Sequence, residues 1–293
     1  MKSVIKILKE KREKEITKRV KESRDGLEEL ARLAPLSKDV KLENLDVGGV
    51  PAAWMITPRV SKDHAILYLH GGGYVEGSIT SHQDLAQRIS KISEIRVLIL
   101  DYRLAPEHPF PAALEDSITA YEWLINSAGY NPKNLIIAGD SAGGGLTIAT
   151  LVKLRDQGVP LPAAAVCLSP WTDLALTGDS IKLKVDEDPF VSPYELMFYA
   201  RLYLGKTDAK NPLASPLYAK LKGLPPLCIQ VGSAEVLLDD STRLAKRARD
   251  EGVKVQLDVW DDMIHVFQAF AVMAPESIDG INKIGKFIKE VFQ

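Results

Sequence analysis

Leu135-Ile136-Ile137-Ala138-Gly139-Asp140-Ser141-Ala142-Gly143-Gly144 is the stretch that decides the fold. Its first four residues are a continuous apolar run, as expected of a strand covered on both faces. The residues that follow, through Asp156, carry helical patterning, so Ser141 stands at a strand-to-helix turn. Gly-x-Ser-x-Gly in that setting reads as a nucleophile elbow. Gly139 and Gly143 flank the serine because strand and helix backbones approach closely there and leave no room for side chains. The turn exposes the Ser141 hydroxyl at the carboxyl edge of the sheet, where ligands sit in open α/β folds. The helix start adds a free backbone N–H, that of Ala142, beside it.

Outward from the elbow, short β-rich runs alternate with helical ones. Strands are predicted at Ala52–Ile56, Ala65–Leu69, Arg96–Leu100, Leu135–Gly139, Ala163–Leu168, Leu227–Gly232 and Val255–Trp260. Helices are predicted at about His82–Lys91, Ala112–Asn126, Ser141–Asp156, Asp240–Glu251 and Ser277–Val291. Alternation of this length means a parallel sheet with right-handed crossovers, an α/β fold. One segment breaks the rhythm. From Trp171 to about Asp208 no strand is expected, and Pro193–Leu204 reads as an aromatic-rich helix. An insertion between two strands often builds a lid over a site, and packing on the core edge is the plainer alternative. The first 33 residues also read as helix. Because Lys9 to Glu15 contains no apolar residue, the expectation is two helices, or one that stands proud of the body. The Lys/Glu pattern there reads as a solvated face with ion pairs one turn apart.

Composition bounds the rest. The chain has 293 residues, which at roughly 150 residues per domain suggests about two domains; one large α/β domain plus an accessory piece fits equally well. Hydrophobic residues make up 46% and charged residues 26%, enough for a full core without staples. The formal charge of −2, from 37 basic and 39 acidic residues, gives no global pull toward nucleic acid or an anionic membrane. Cys167 and Cys228 cannot make a disulfide framework, and each lies in an apolar strand pattern that suggests an inert buried thiol. Met1 to Arg32 carries 11 Lys/Arg and 7 Asp/Glu with no apolar core, so it reads as neither signal peptide nor membrane span. The uncharged stretch Gln157–Thr172 is short and broken by three prolines. A soluble, cytoplasmic protein is expected.

Three further features carry chemistry. His70-Gly71-Gly72-Gly73 directly follows a predicted strand, and three consecutive glycines cost backbone entropy. Their bare N–H groups can close on a developing oxyanion. A phosphate loop would exploit the same property, but neither a Gly-Lys-Ser/Thr ending nor Gly-x-Gly-x-x-Gly spacing is present. Gly71 and Gly72 are the expected donors beside Ala142, with His70 ordering the loop. A serine hydroxyl needs a base to take its proton. For an elbow serine the chain order is serine, acid, histidine, and of the five histidines only His265 lies beyond Ser141. His108, in Pro106-Glu107-His108-Pro109, reads as structural. The acid must follow a strand between the two. Glu235, Asp239 and Asp240 all qualify, and spacing alone does not choose among them.

His70-Gly71-Gly72-Gly73, Asp101-Tyr102-Arg103-Leu104-Ala105-Pro106-Glu107, Gly139-Asp140-Ser141-Ala142-Gly143-Gly144 and Asp262-Met263-Ile264-His265 occur in order. Together they resemble the hormone-sensitive-lipase family of bacterial and archaeal carboxylesterases, from about Leu45 to the C-terminus. The resemblance implies an α/β-hydrolase core with a mostly parallel sheet of about eight strands covered by helices on both faces. It implies a helical cap, formed by residues 1–45 and an insertion at about 171–208, on a catalytic domain spanning 46–293. It also implies cofactor-free activity on short acyl esters and dimerisation through an edge strand. The family's common Asp-Pro-Leu is replaced here by Glu235-Val236-Leu237, and because a subset of the family carries Glu at that place, the resemblance selects Glu235; Asp239 aligns with a second family carboxylate.

The expected chemistry is acyl transfer to water by Ser141, Glu235 and His265, with no metal, since His, Cys, Asp and Glu do not cluster at ligand spacing. Tyr194, Phe198 and Tyr199 are candidates to line an acyl or alcohol pocket, with core packing the alternative, and Tyr74 is a candidate substrate contact beside the glycine loop. The expected partner is a small-molecule ester. Amide, thioester or lactone hydrolysis would use the same residues. A receptor built on the same fold is the rival class, and loss of the catalytic histidine marks that case; His265 is present.

Overall fold

Alternate residues of the central strands point to opposite faces of the sheet, and both faces are dry. Leu67, Leu69, Leu98, Leu100 and Ile137 pack into one core, and Ile66, Tyr68, Val97, Ile99 and Ile136 into the other. This two-sided burial is why those runs carry no polar alternation. The computed structural model describes residues 2–293, with side chains at 10, 11 and from 13 onward. Val4, Ile7 and Leu8, whose loose helical spacing contributes to the helical reading of the N-terminal segment, fall outside the described side chains.

The strands are β1 (Lys41–Asp46), β2 (Pro51–Ile56), β3 (Ser61–Leu69), β4 (Ile95–Leu100), β5 (Leu135–Asp140), β6 (Ala164–Leu168), β7 (Leu227–Gly232) and β8 (Val255–Trp260). They form one eight-stranded sheet in the order β1-β2-β4-β3-β5-β6-β7-β8. β1 and β2 are antiparallel, as are β2 and β4, and every later pairing is parallel. The fold is that of an α/β hydrolase. All seven strands expected from the sequence are present, and β1 is an addition.

The helices are α1 (Lys2–Ala31), α2 (Ile79–Ser93), α3 (Ala112–Asn126), α4 (Ala142–Asp156), α5 (Ser180–Leu183), α6 (Pro193–Leu204), α7 (Leu238–Asp250) and α8 (Pro275–Val291). Helices α2 and α8 cover one face of the sheet, through Leu85, Ile89, Ile284 and Ile288. The other face is covered by α3, α4 and α7, through Leu124, Leu146 and Leu244. The N-terminal segment is a single 30-residue helix rather than two. Good helix formers carry it through the apolar gap, and its second half is tied down: Val20 is buried, and Arg24 reaches the Val75 and Ala105 carbonyls. Helix α6 begins with a capping box at Ser192 and Glu195 and lies beside α1, where Ser23 Oγ and Tyr199 Oη are 2.8 Å apart. No helix among the described residues is long and apolar enough to cross a membrane.

Candidate active site

The segments that follow β3, β5, β6 and β8 meet at one cavity of about 510 Å³. Its floor includes Gly72, Gly73, Ser141 and His265. One wall is a single face of α1 (Ser23, Leu27, Leu30, Ala31), another comes from Phe190, Val191, Glu195 and Tyr199, and a third from Phe270, Val272 and Met273.

Ser141 sits at φ +52°, ψ −121°, a conformation that costs an L-residue of order 1–3 kcal/mol. The surroundings enforce it. The Ser141 N–H donates to the Leu168 carbonyl at 2.8 Å, and its own carbonyl accepts from Gly145 and Trp171. A Cβ on Gly143 would collide with the Leu69 and His70 carbonyls, and one on Gly139 with Gly143. Both glycines are therefore required by close approach, as the sequence indicates. Ser141 Oγ has no hydrogen-bond partner among the described residues, and His265 shares its cavity wall.

His265 Nδ1 lies 2.7 Å from Glu235 Oε2. The other carboxylate oxygen accepts from the Gly232 N–H at 2.6 Å and the Ser169 hydroxyl at 2.9 Å. Ser169 Oγ also accepts from the Val266 N–H at 3.1 Å, so one hydroxyl joins the acid loop to the histidine loop. Burial works against a charge on His265. The Glu235 carboxylate outweighs it and lifts the imidazole above its ordinary value, with Asp188 and Asp140 acting in the same direction.

The other two candidate acids are engaged elsewhere. Asp239 Oδ2 accepts from the Ser180 N–H at 2.9 Å. Asp240 accepts from the Thr172 and Asp173 N–H groups at 2.7 and 2.8 Å, and burial pushes its carboxyl up to about 7. Among the three, only Glu235 is hydrogen-bonded to His265.

Gly71, expected as an oxyanion donor, points elsewhere. Its N–H is directed at Asp140 Oδ1, 3.1 Å away, and at His82 Nε2, 3.2 Å away. Gly72 and Gly73 line the cavity instead. Gly72 has φ +106°, and its carbonyl accepts from Val75 and Glu76, a turn that leaves its N–H unused. The N–H groups of Gly72, Gly73 and Ala142 donate to no other group among the described residues. His70 orders this loop: its Nδ1 lies 2.7 Å from the Gly71 carbonyl and its ring stacks on Tyr102 at 4.2 Å. Burial pushes its imidazole down to about 3, so it is neutral. Beneath the loop, Asp140 also accepts from the Tyr68 hydroxyl at 2.7 Å. Burial alone would raise Asp140, but the adjacent His82 and Tyr68 hold it below the usual carboxylate value.

Of the four aromatics considered for substrate contact, Tyr199 lines the cavity and the others do not. Tyr74 is buried behind the glycine loop, where it stacks face to face on Tyr203 at 3.8 Å. Tyr194 is exposed, and the Arg19 guanidinium covers the Phe198 ring at 3.9 Å. Tyr194 and Phe198 share α6 with Tyr199, but both meet Arg19 of α1 and not the cavity. Sequence reasoning missed Gly73, Ser169 and Asp188. The first is a cavity-lining glycine that no motif distinguishes from its neighbours. The second is an ordinary serine at a strand end, and the third lies in a loop that reads as solvated. No three His, Cys, Asp or Glu side chains converge as metal ligands among the described residues.

Comparison with known proteins agrees with this geometry. The α/β-hydrolase fold family matches residues 66–269. An acetyl-hydrolase from Streptomyces hygroscopicus is 44% identical over 243 residues, covering 83% of this chain and 81% of that protein. An esterase from Acinetobacter venetianus is 34% identical over 265 residues, 90% of this chain and 87% of its own. Among solved structures, an esterase from the bacterial hormone-sensitive lipase family superposes with a TM-score of 0.91 at 50% identity, covering 92% of this chain and 91% of that one. The chain belongs to the hormone-sensitive-lipase family of α/β hydrolases and is a carboxylic ester hydrolase.

Proposed function

We propose that this enzyme hydrolyses short- to medium-chain acyl esters with Ser141 as nucleophile, His265 as general base and Glu235 as its orienting acid. The observation that carries the reading is the 2.7 Å contact of His265 Nδ1 with Glu235 Oε2 in the cavity that Ser141 lines. In the forward step His265 Nε2 takes the Ser141 proton as Oγ attacks the ester carbonyl. The negative oxygen is met by the N–H groups of Gly72, Gly73 and Ala142, each worth about 3 kcal/mol in the transition state. Glu235 holds the imidazole in the tautomer with its proton on Nδ1 and balances the imidazolium. The imidazolium then protonates the leaving alcohol, and water repeats the cycle on the acyl-enzyme.

The mostly apolar walls and modest volume favour a short acyl group, and the kinship with an acetyl-hydrolase points the same way. Residues 1–45 and about 171–208 are read as one cap over a catalytic domain of 46–293, supported by the α1–α6 contacts. Free, buried Cys167 and Cys228 favour a cytoplasmic setting, and the edge strand β8 is where a second copy would pair.

A series of p-nitrophenyl esters from acetate to laurate, run on wild type and Ser141→Ala, tests the reading. Wild-type turnover should be greatest at short chains, with Ser141→Ala reduced by at least about 10⁵-fold. An inactive wild type, or an active Ser141→Ala, would overturn it.

A further inference from the structure

Asp188 lies in the polar turn before α6, where Lys184-Val185-Asp186-Glu187-Asp188-Pro189 gives every appearance of a solvated loop. Its neighbours Asp186 and Glu187 are indeed exposed, but Asp188 is only 8% exposed and both its oxygens are engaged. Oδ1 accepts from the N–H groups of Phe190 and Val191, each at 2.9 Å. Oδ2 accepts from the N–H of Val236 at 3.0 Å. Val236 directly follows Glu235, so this bond fixes the far side of the peptide that carries the acid. Phe190 and Val191 line the cavity that contains Ser141.

We propose that Asp188 is a positioning residue that holds Glu235 in register with His265 and ties that register to the cavity wall formed by Phe190 and Val191. The proposal rests on the Ser141–His265–Glu235 reading. Glu235 is held from its own side by Gly232 and Ser169. The carbonyl side of the Glu235–Val236 peptide accepts from the Leu238 N–H at 3.2 Å, so without the Val236 anchor the peptide is held from one side and can tilt about that bond. Because Glu235 is one methylene longer than Asp, a small rotation at its backbone is amplified at Oε2. Misplacement of a reacting group by about 1 Å can cost 10²-fold in rate.

The position also has an electrostatic consequence. The charged groups acting on His265 are Glu235 from the β7 loop, Asp140 from the elbow and Asp188 from the insertion, all favouring the imidazolium against burial. Neutralising Asp188 therefore lowers the pH at which His265 becomes a free base.

The test compares Asp188→Asn, Asp188→Ser, Glu235→Gln and Asp188→Asn/Glu235→Gln on p-nitrophenyl acetate, with Asp186→Asn as the control for loop charge. Asp188→Asn presents an amide donor to the Val236 N–H, while Asp188→Ser can still cap Phe190 and Val191 but is too short for Val236. Both should lose about 10- to 100-fold in kcat with a smaller change in KM, and the acid limb of kcat/KM should move to lower pH. Asp186→Asn should behave as wild type. The double variant should be no slower than Glu235→Gln alone, because a residue acting through Glu235 has nothing left to position.

A lowered melting temperature with wild-type kcat and pH profile would reduce Asp188 to a structural role and overturn the proposal. So would additive losses in the double variant, or failure of both single Asp188 variants to fold. Wild-type turnover in Glu235→Gln would overturn the underlying triad reading, and the proposal with it; a collapse in Glu235→Gln beside normal Asp188 variants would overturn the proposal alone.

Discussion

Asp140 Oδ1 accepts the Gly71 N–H at 3.1 Å, so the residue preceding Ser141 holds the glycine loop across the cavity from it. Elbow and glycine loop thus share one buried carboxylate, which also receives Tyr68 Oη and lies 3.3 Å from His82 Nε2. Asp140→Ala would strand a hydroxyl, a backbone N–H and a raised-pKa histidine in the interior. The expected loss is about 3–5 kcal/mol, as for breaking a buried ion pair. Urea unfolding checks it: a change below about 1 kcal/mol would contradict the assignment.

The glycines on either side of the elbow make a second prediction. Gly143→Ala would drive a methyl into the Leu69 and His70 carbonyls, which are backbone and cannot step aside. A loss of about 3 kcal/mol or more is expected, at the upper end of overpacking costs. Gly26→Ala, in α1 with open space around it, should stabilise by about 0.5–1 kcal/mol. Equal melting temperatures for the two variants would refute the packing argument.

How much of this was legible beforehand divides along physical lines. Strands β2 to β7 announced themselves because both sheet faces are buried there and their runs are apolar, whereas β8, Val-Gln-Leu-Asp-Val-Trp, is a part-buried edge strand legible from its alternation of apolar and polar residues. β1 did not, because Lys-Leu-Glu-Asn-Leu-Asp is a half-exposed edge strand with no buried residue. Motif and chain order single out Ser141 and His265, which line one cavity, whereas spacing left three acids open and only the resemblance favoured Glu235, the one of the three hydrogen-bonded to His265. The glycine loop lies at the cavity, but the Gly71 N–H is directed at Asp140 and His82 instead of into it, since a backbone N–H has no signature and its direction depends on Asp140 lying beneath Gly71. Asp188 was hidden because a buried carboxylate looks like any other acid in a polar loop.

Ser141 also stores strain. Ser141→Ala keeps the φ of +52° and removes only the hydroxyl, whereas Ser141→Gly relaxes the backbone. The glycine variant should be more stable than the alanine variant by about 1 kcal/mol, strain relief exceeding the added chain entropy. Both should be inactive. Thermal unfolding of the pair decides; a less stable glycine variant would mean that the elbow is not strained.

The His265 imidazole lies above its ordinary value of 6.5. The acid limb of kcat/KM should therefore fall above pH 6.5, and Glu235→Gln should shift it downward. Stability runs the other way. A group whose pKa is raised on folding contributes fully below its unfolded value and loses that contribution as pH rises through the folded one. The stability deficit of Glu235→Gln should accordingly be greater at pH 5.5 than at pH 9. Denaturant titrations at the two values measure it, and equal deficits would count against the His265–Glu235 pairing.

Every group assigned to bond making hangs from a strand end, while the walls that meet the rest of the substrate come from α1, the turn before α6 and the residues after His265. Hardware and walls are thus built from different parts of the chain. Diversification of substrate preference can proceed by exchanging wall residues such as Leu27, Leu30 or Tyr199 without disturbing the elbow. The stitch from Asp188 to Val236 crosses that boundary, and an insertion exchanged between relatives would have to bring an equivalent acceptor with it to leave the enzyme running.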